Sequence, residues 1–180
     1  LTPRPGPDSL DTVARDFARR NLMVDLDFLR ASGLGLAAYR DGRAEAAVAH
    51  LEDAVKRVQA TNANRADTQH VYLALADLYT SAGRRDDART LIEKAYRAAT
   101  YDYNIRLRGV GTVQRAAAAM ERLGDRETAR TWIKERLFGL EYSNVRTPLQ
   151  LGRTYERLGG DPTETRAFIQ KRFEQALREE

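Results

Sequence analysis

The fold is decided by residues 72–95, which read YLALADLYTSAGRRDDARTLIEKA. Two stretches rich in the helix-forming residues Ala, Leu and Arg meet at Gly83. After this glycine, Ala88, Ile92 and Ala95 lie at positions i, i+4 and i+7, which places them on one face of a helix. Because small residues let two helices approach closely, the stretch predicts a tightly packed helical hairpin.

The same hairpin pattern recurs along the chain. The turn glycines Gly42, Gly83 and Gly124 are 41 residues apart in both intervals. The small–large–small pattern after Gly83 has two counterparts, Ala47, Leu51, Ala54 and Ala129, Ile133, Arg136. Only Arg136 departs from it. A repeat of this kind predicts hairpins stacked in a row.

A fourth, degenerate unit is predicted near the C-terminus, with its turn at Gly159 and Gly160. We expect Ile169, Phe173 and Ala176 to form the packed face of its second helix, five residues late relative to the other units. The outward side chains of this last helix are mainly charged, which is typical of a solubilising terminal cap.

The best unit resembles the tetratricopeptide repeat. Its motif is Tyr72-x2-Leu75-Ala76-x2-Tyr79, followed by Ala88-x3-Ile92 and Ala95. The resemblance covers residues 23–178 and implies an all-α, right-handed solenoid of three to four helical hairpins plus an N-terminal helix. The period of 41 is similar to that of the long-period repeats in kinesin light chains and bacterial scaffold proteins.

Helix boundaries follow from caps and breakers. We expect helices over 22–40, 44–60, 67–82, 85–99, 110–123, 126–139, 148–158 and 162–178, with a further helix near 9–20. Thr147 and Asp161 are predicted to cap the last two helices, and Thr112 to cap the helix near 110. Residues 1–8, rich in Pro and Gly, are predicted to be a linker, and residues 9–180 a single domain.

Composition narrows the classes of function. The chain has no cysteine, which excludes disulfides, thiol catalysis and cysteine-based zinc sites. No apolar run approaches the roughly 20 residues of a membrane span. His50 and His70, the two histidines, fall on different predicted helices, so we expect no metal site, no cofactor and no enzymatic activity. We expect a cytoplasmic protein, although a start at Leu1 suggests that an upstream signal or anchor was trimmed.

The charge distribution is uneven. Residues 103–180 carry 15 basic and 11 acidic side chains, so the whole net charge of +4 lies there. This asymmetry indicates an acidic partner. The alternative interpretation is that arginines simply decorate solvated helix faces.

The family resemblance also implies a binding site. In tetratricopeptide repeats the first helix of each hairpin lines a concave groove that holds a peptide or partner segment. Carried over position by position, the implied groove residues are Tyr39, Arg40, His70, Asp77, Gln114, Arg115, Arg122, Arg153 and Arg157. We therefore predict a protein–protein interaction scaffold for a peptide, with an acidic partner.

Two alternatives stay open at this point. The solenoid could instead self-associate as a structural or assembly module, giving a homo-oligomer. It could also be a nucleic-acid-binding helical repeat, but a net charge of +4 over 180 residues is small for that role.

Overall fold

The computed structural model describes residues 26–61, 68–100, 109–139 and 146–178. Within these ranges it contains eight helices and no strand, which confirms the all-α prediction. The helices are α1 (Leu26–Arg40), α2 (Ala44–Thr61), α3 (Thr68–Ser81), α4 (Arg85–Thr100), α5 (Val110–Arg122), α6 (Arg126–Phe138), α7 (Arg146–Arg157) and α8 (Pro162–Ala176). The helix predicted near 9–20 lies outside the described residues.

Each hairpin turns at a glycine in the left-handed region. Gly42, Gly83, Gly124 and Gly159 have φ values of 73°, 75°, 85° and 89°. At every turn, the glycine N–H and the next N–H donate to carbonyls of the preceding helix, for example from Arg84 to Tyr79 at 2.8 Å. This arrangement satisfies the last carbonyls of a helix and needs a residue without a Cβ. The predicted turns are confirmed, and the last interval shortens to 35 residues.

The described helices fall into two compact units, one ending at Ala63 and one beginning at Asn64. In the first unit, α1 packs on α2 around buried Phe28, Leu51 and Ala54. A Cβ atom on Gly35 would lie 2.7 Å from Cγ of Leu51, so this helix pair is too close for any larger residue there. A single domain over 9–180 stays a prediction.

The second unit contains the remaining three hairpins. Ala88, Ile92 and Ala95 are buried, as are Ala129 and Ile133, which confirms the packed faces of α4 and α6. Arg136, which departs from the pattern, is also buried, with 4% exposure, at the position where the first two units have alanine. First helices also contact first helices, α3 with α5 and α5 with α7.

The packed face of α8 differs from the prediction. Thr165 is buried, and a Cβ atom on Gly152 would lie 2.7 Å from Cγ2 of Thr165 and 3.1 Å from Cδ1 of Ile169. Placing Phe173 on the packed face was wrong, because its side chain is 47% exposed. Gly160 adds one residue to the turn, so the pattern is one residue late rather than five. Most of the polar side chains of the predicted terminal cap are exposed on α8, and Phe173 is exposed beside them.

Two predicted helix caps were wrong and one was confirmed. The Asp161 side chain accepts a hydrogen bond from the N–H of Thr163 and caps α8, as expected. However, α7 begins at Arg146, so Thr147 lies inside the helix. Thr112 is likewise buried inside α5 and does not cap it, because this helix begins at Val110.

Candidate binding surface on the first helices

Two arginines of α5 contact the preceding first helix. Nη2 of Arg115 lies 2.9 Å from Nδ1 of His70 on α3. Because a guanidinium only donates, Nδ1 is the acceptor in this hydrogen bond. Nearer the C-terminal ends of the same two helices, Nη2 of Arg122 donates to Oδ1 of Asp77 at 3.2 Å. The sequence-predicted residues His70, Asp77, Arg115 and Arg122 therefore form two neighbouring pairs.

A third pair connects α5 with α7. Nη1 of Arg157 lies 2.9 Å and 2.7 Å from the two carboxylate oxygens of Glu121. We call the surface that carries these three pairs the first-helix face. It consists of His70, Asp77, Arg115, Glu121, Arg122 and Arg157.

The other predicted groove residues take no part in these three pairs. Gln114 is half-buried on α5. Arg153 lines a separate cavity of about 450 Å³ between α7 and α8. Tyr39 and Arg40 end α1 in the first unit, where Tyr39 is half-buried and Arg40 is exposed. The three pairs therefore include five of the nine predicted groove residues.

Arginines on the second helices also join neighbouring hairpins, which sequence reasoning missed. Nη2 of Arg85 donates to the carbonyl oxygen of Leu123 at 2.6 Å, and its counterpart Arg126 donates to the carbonyl oxygen of Arg157. Arg85 and Arg126 are 41 residues apart. This recurrence was the available signal, because equivalent positions in a repeat make equivalent contacts.

One contact of a second helix shifts the pKa of the carboxylate that it involves. Nη1 of Arg89 lies 2.5 Å from Oδ2 of Asp125, whose other oxygen accepts the N–H of Thr128 and caps α6. The hydrogen bond from Arg89, followed by that from the Thr128 backbone, lowers the pKa of Asp125. Both bonds favour the charged carboxylate.

Tyr96 and Trp132 form the aromatic contact between α4 and α6. Their rings are stacked, with centroids 4.2 Å apart and an angle of 6° between the planes. The Tyr96 hydroxyl donates to Oε2 of Glu135 at 2.5 Å. Burial, and then this hydrogen bond, raises the pKa of Tyr96 well above its ordinary value. The tyrosine therefore stays neutral and acts as a structural contact.

The first-helix face offers charged hydrogen-bonding groups and no catalytic arrangement. Among the described residues, no group of three or more histidines and carboxylates could hold a metal ion. The side chains of Arg122 and Arg157 are 59% and 54% exposed. Each guanidinium has five N–H donors, so donors remain for a ligand beyond the intramolecular pairs.

Helical hairpins that each turn at a glycine and recur along the chain define a helical-repeat protein. Residues 27–100, which contain α1 to α4, match the family model of the tetratricopeptide repeat. This match supports the resemblance seen in the sequence. Such repeats typically act as non-enzymatic scaffolds that mediate protein–protein interactions.

No curated protein sequence matches the chain. Membership of the long-period subtype stays a prediction. No helix in the described ranges is long and apolar enough to cross a membrane.

Proposed function

We propose that this protein is a non-catalytic interaction module whose first-helix face binds an acidic segment of a partner protein. The observation that carries the proposal is a charge gradient across the first helices of the second unit. Helix α3 has one carboxylate and no arginine, α5 has two arginines and one carboxylate, and α7 has three arginines and one carboxylate. The first-helix face itself includes the carboxylate of α3, all three charged residues of α5 and Arg157 of α7, so its charge changes from negative on α3 to positive on α5 and α7.

The intramolecular pairs support this proposal. Exposed ion pairs contribute only about 0.2–1 kcal/mol each, so a carboxylate of a partner can share or replace the existing acceptor. The bonds to Asp77 and Glu121 also hold Arg122 and Arg157 in fixed positions before a ligand arrives. Such preorganisation reduces the entropy lost on binding.

Nucleic acid is a less suitable ligand for this face. Single-stranded nucleic acids bind through aromatic rings on which the bases stack. The tyrosines of α3 and α7 are all buried, with 7% exposure for Tyr72, 8% for Tyr79 and 4% for Tyr155. None of these rings offers a stacking surface. The cytoplasmic location expected from the sequence stays a prediction.

The test is a competition experiment. A labelled peptide of alternating glutamate and serine is titrated against a single-stranded oligonucleotide of equal charge, at about 150 mM salt, where the Debye length is about 8 Å. We expect the peptide to bind, and we expect the triple variant Arg115→Gln, Arg122→Gln, Arg157→Gln to weaken binding by about tenfold or more.

A matched control variant distinguishes binding at the first-helix face from a general effect of the protein's charge. The variant Arg30→Gln, Arg97→Gln, Lys171→Gln removes the same charge from exposed positions on α1, α4 and α8. It should bind the peptide nearly as well as the wild type. Equal losses in both triple variants would contradict a specific face, and preferential binding of the oligonucleotide would favour the nucleic-acid alternative.

A further inference from the structure

Besides Arg85, two further side chains of α4 contact the hairpin that follows it. Arg89 contacts Asp125, and the Tyr96 ring stacks on Trp132. Arg89 and Tyr96 are seven residues apart, as are Asp125 and Trp132. Since seven residues make about two helical turns, each pair forms a stripe along its own helix. We call Arg89 and Tyr96 the arginine–aromatic stripe of α4. It contacts a carboxylate–aromatic stripe, Asp125 and Trp132, at two points.

Helix α6 holds the fourth hairpin in a similar way. The Phe138 ring packs edge-on against Tyr155 and Phe168, with centroid distances of 5.7 Å and 5.0 Å. Nζ of Lys134 lies 3.2 Å from the carboxylate of Glu164. An aromatic ring and a cation thus again hold the next hairpin.

Helix α8 carries the same stripe. Thr165 takes the buried position that Ala88 has in α4. Counting from these residues, Arg166 is equivalent to Arg89 and Phe173 to Tyr96. The last hairpin therefore presents the arginine–aromatic stripe that α4 uses to bind α6.

This stripe is open on α8. Phe173 is 47% exposed, and Arg166 has no hydrogen bond or ion pair with any residue that the structure describes. The stripe borders the cavity of about 450 Å³, which we call the terminal groove and which is lined mainly by Leu149, Arg153, Glu156, Arg166, Ile169 and Phe173. Two arginines face one glutamate in this groove, so its charge favours an acidic occupant.

We propose that the terminal groove binds an α-helix of a partner protein that carries a carboxylate at its N-terminal end and an aromatic side chain seven residues later. The carboxylate binds Arg166 as Asp125 binds Arg89. The aromatic ring packs on Phe173 as Trp132 packs on Tyr96. This surface is distinct from the first-helix face, and the interaction continues a contact that the fold already uses between its own hairpins.

A second copy stacked head to tail is a poor occupant. The first hairpin of the second copy would have to supply the two side chains. At the positions of Asp125 and Trp132, counted from the turn glycine, this hairpin has Arg43 and His50. Arg43 would then face Arg166, and like charges in contact disfavour association.

The probe for this proposal comes from the protein itself. A labelled peptide with the sequence of residues 124–139 contains Asp125 and Trp132 at the required spacing. Joining Glu127 to a lysine introduced by Thr131→Lys through a lactam keeps the peptide helical, and both positions are exposed in α6. We expect saturable binding to the full chain in fluorescence anisotropy. Arg166→Glu and Phe173→Ala should each weaken binding by about tenfold or more, as buried interface anchors do.

The controls distinguish the terminal groove from other surfaces. Lys171→Glu makes the same charge change at an exposed position of α8 and should leave the affinity nearly unchanged. A peptide with Asp125→Arg should bind the wild type poorly and regain affinity for the Arg166→Glu protein. Absence of saturable binding, or binding that neither Arg166→Glu nor Phe173→Ala weakens, would overturn the proposal. So would a dimer in sedimentation that Phe173→Ala dissociates, since a second copy would then cover the groove.

Discussion

Arg89 and Asp125 join the second and third hairpins, with 2.5 Å between Nη1 of the arginine and Oδ2 of the aspartate. The same carboxylate caps α6 through the N–H of Thr128. One side chain thus fixes where α6 begins and where that helix meets α4. Because the two roles use different oxygens of Asp125, they can be separated by substitution.

The first prediction concerns the variant Asp125→Asn. Asparagine keeps the cap but loses the charge, so at neutral pH the free energy of unfolding should fall by about 0.2–1 kcal/mol. The folded-state pKa of Asp125 lies below its ordinary value of 3.8. The contribution of the Asp125 charge to the free energy of unfolding is therefore present above pH 3.8. It disappears as the pH falls through the folded-state pKa.

Urea unfolding of both proteins at neutral and at strongly acidic pH checks this prediction. The difference between wild type and variant should shrink towards zero in acid. A difference that is the same at both pH values would mean that the ion pair with Arg89 contributes nothing.

The second prediction concerns Ala88, which is completely buried between α3 and α4. Ala88→Leu should overpack the hairpin and lower the free energy of unfolding by about 1–3 kcal/mol. Ala49→Leu is the matched control, because Ala49 is exposed on α2. Equal stability of the two variants in urea would mean that the helices are not docked at Ala88.

The positions of the hairpins could be predicted because glycine turns leave a periodic mark. Each turn requires a left-handed residue, and Gly42, Gly83 and Gly124 mark them directly. The pairs on the first-helix face could not be derived in the same way. Arg115 and Arg122 contact residues 45 positions earlier, whereas Arg157 contacts one 36 positions earlier.

The first spacing exceeds the period of 41 by four residues, and the second exceeds the shortened last interval of 35 by one residue. The sequence pattern states neither offset. Each offset is set by how far one helix slides along the next, which depends on side-chain packing between them. The one-residue shift at Gly160 was missed for a similar reason. Sequence alone does not show which of two adjacent glycines adopts positive φ, and Gly159 does so here.

The third prediction uses Trp132, the only tryptophan of the chain. Tyr96→Leu removes the stacked ring and should lower the free energy of unfolding by about 0.5–1.5 kcal/mol beyond the loss of buried area. Tyr96→Phe keeps the ring and removes only the bond to Glu135, so it should cost less. Tryptophan fluorescence in urea measures both. If Tyr96→Phe were as destabilising as Tyr96→Leu, the hydroxyl rather than the ring would join α4 to α6.

The last prediction compares two glycines of α1. A Cβ atom on Gly33 would meet nothing within 4 Å, so Gly33→Ala should stabilise the helix by about 0.5–1 kcal/mol through higher helix propensity. On Gly35, a Cβ atom would lie 2.7 Å from Cγ of Leu51 and 3.1 Å from its backbone nitrogen. Forcing α1 away from α2 costs about 1–3 kcal/mol, which exceeds the gain in propensity, so Gly35→Ala should destabilise. Thermal unfolding followed by circular dichroism should therefore show opposite shifts for substitutions two residues apart. In a Leu51→Ala background the cost of Gly35→Ala should fall, because only the 3.1 Å approach to the backbone nitrogen of residue 51 remains. An undiminished cost there would show that contact with the Leu51 side chain is not its cause.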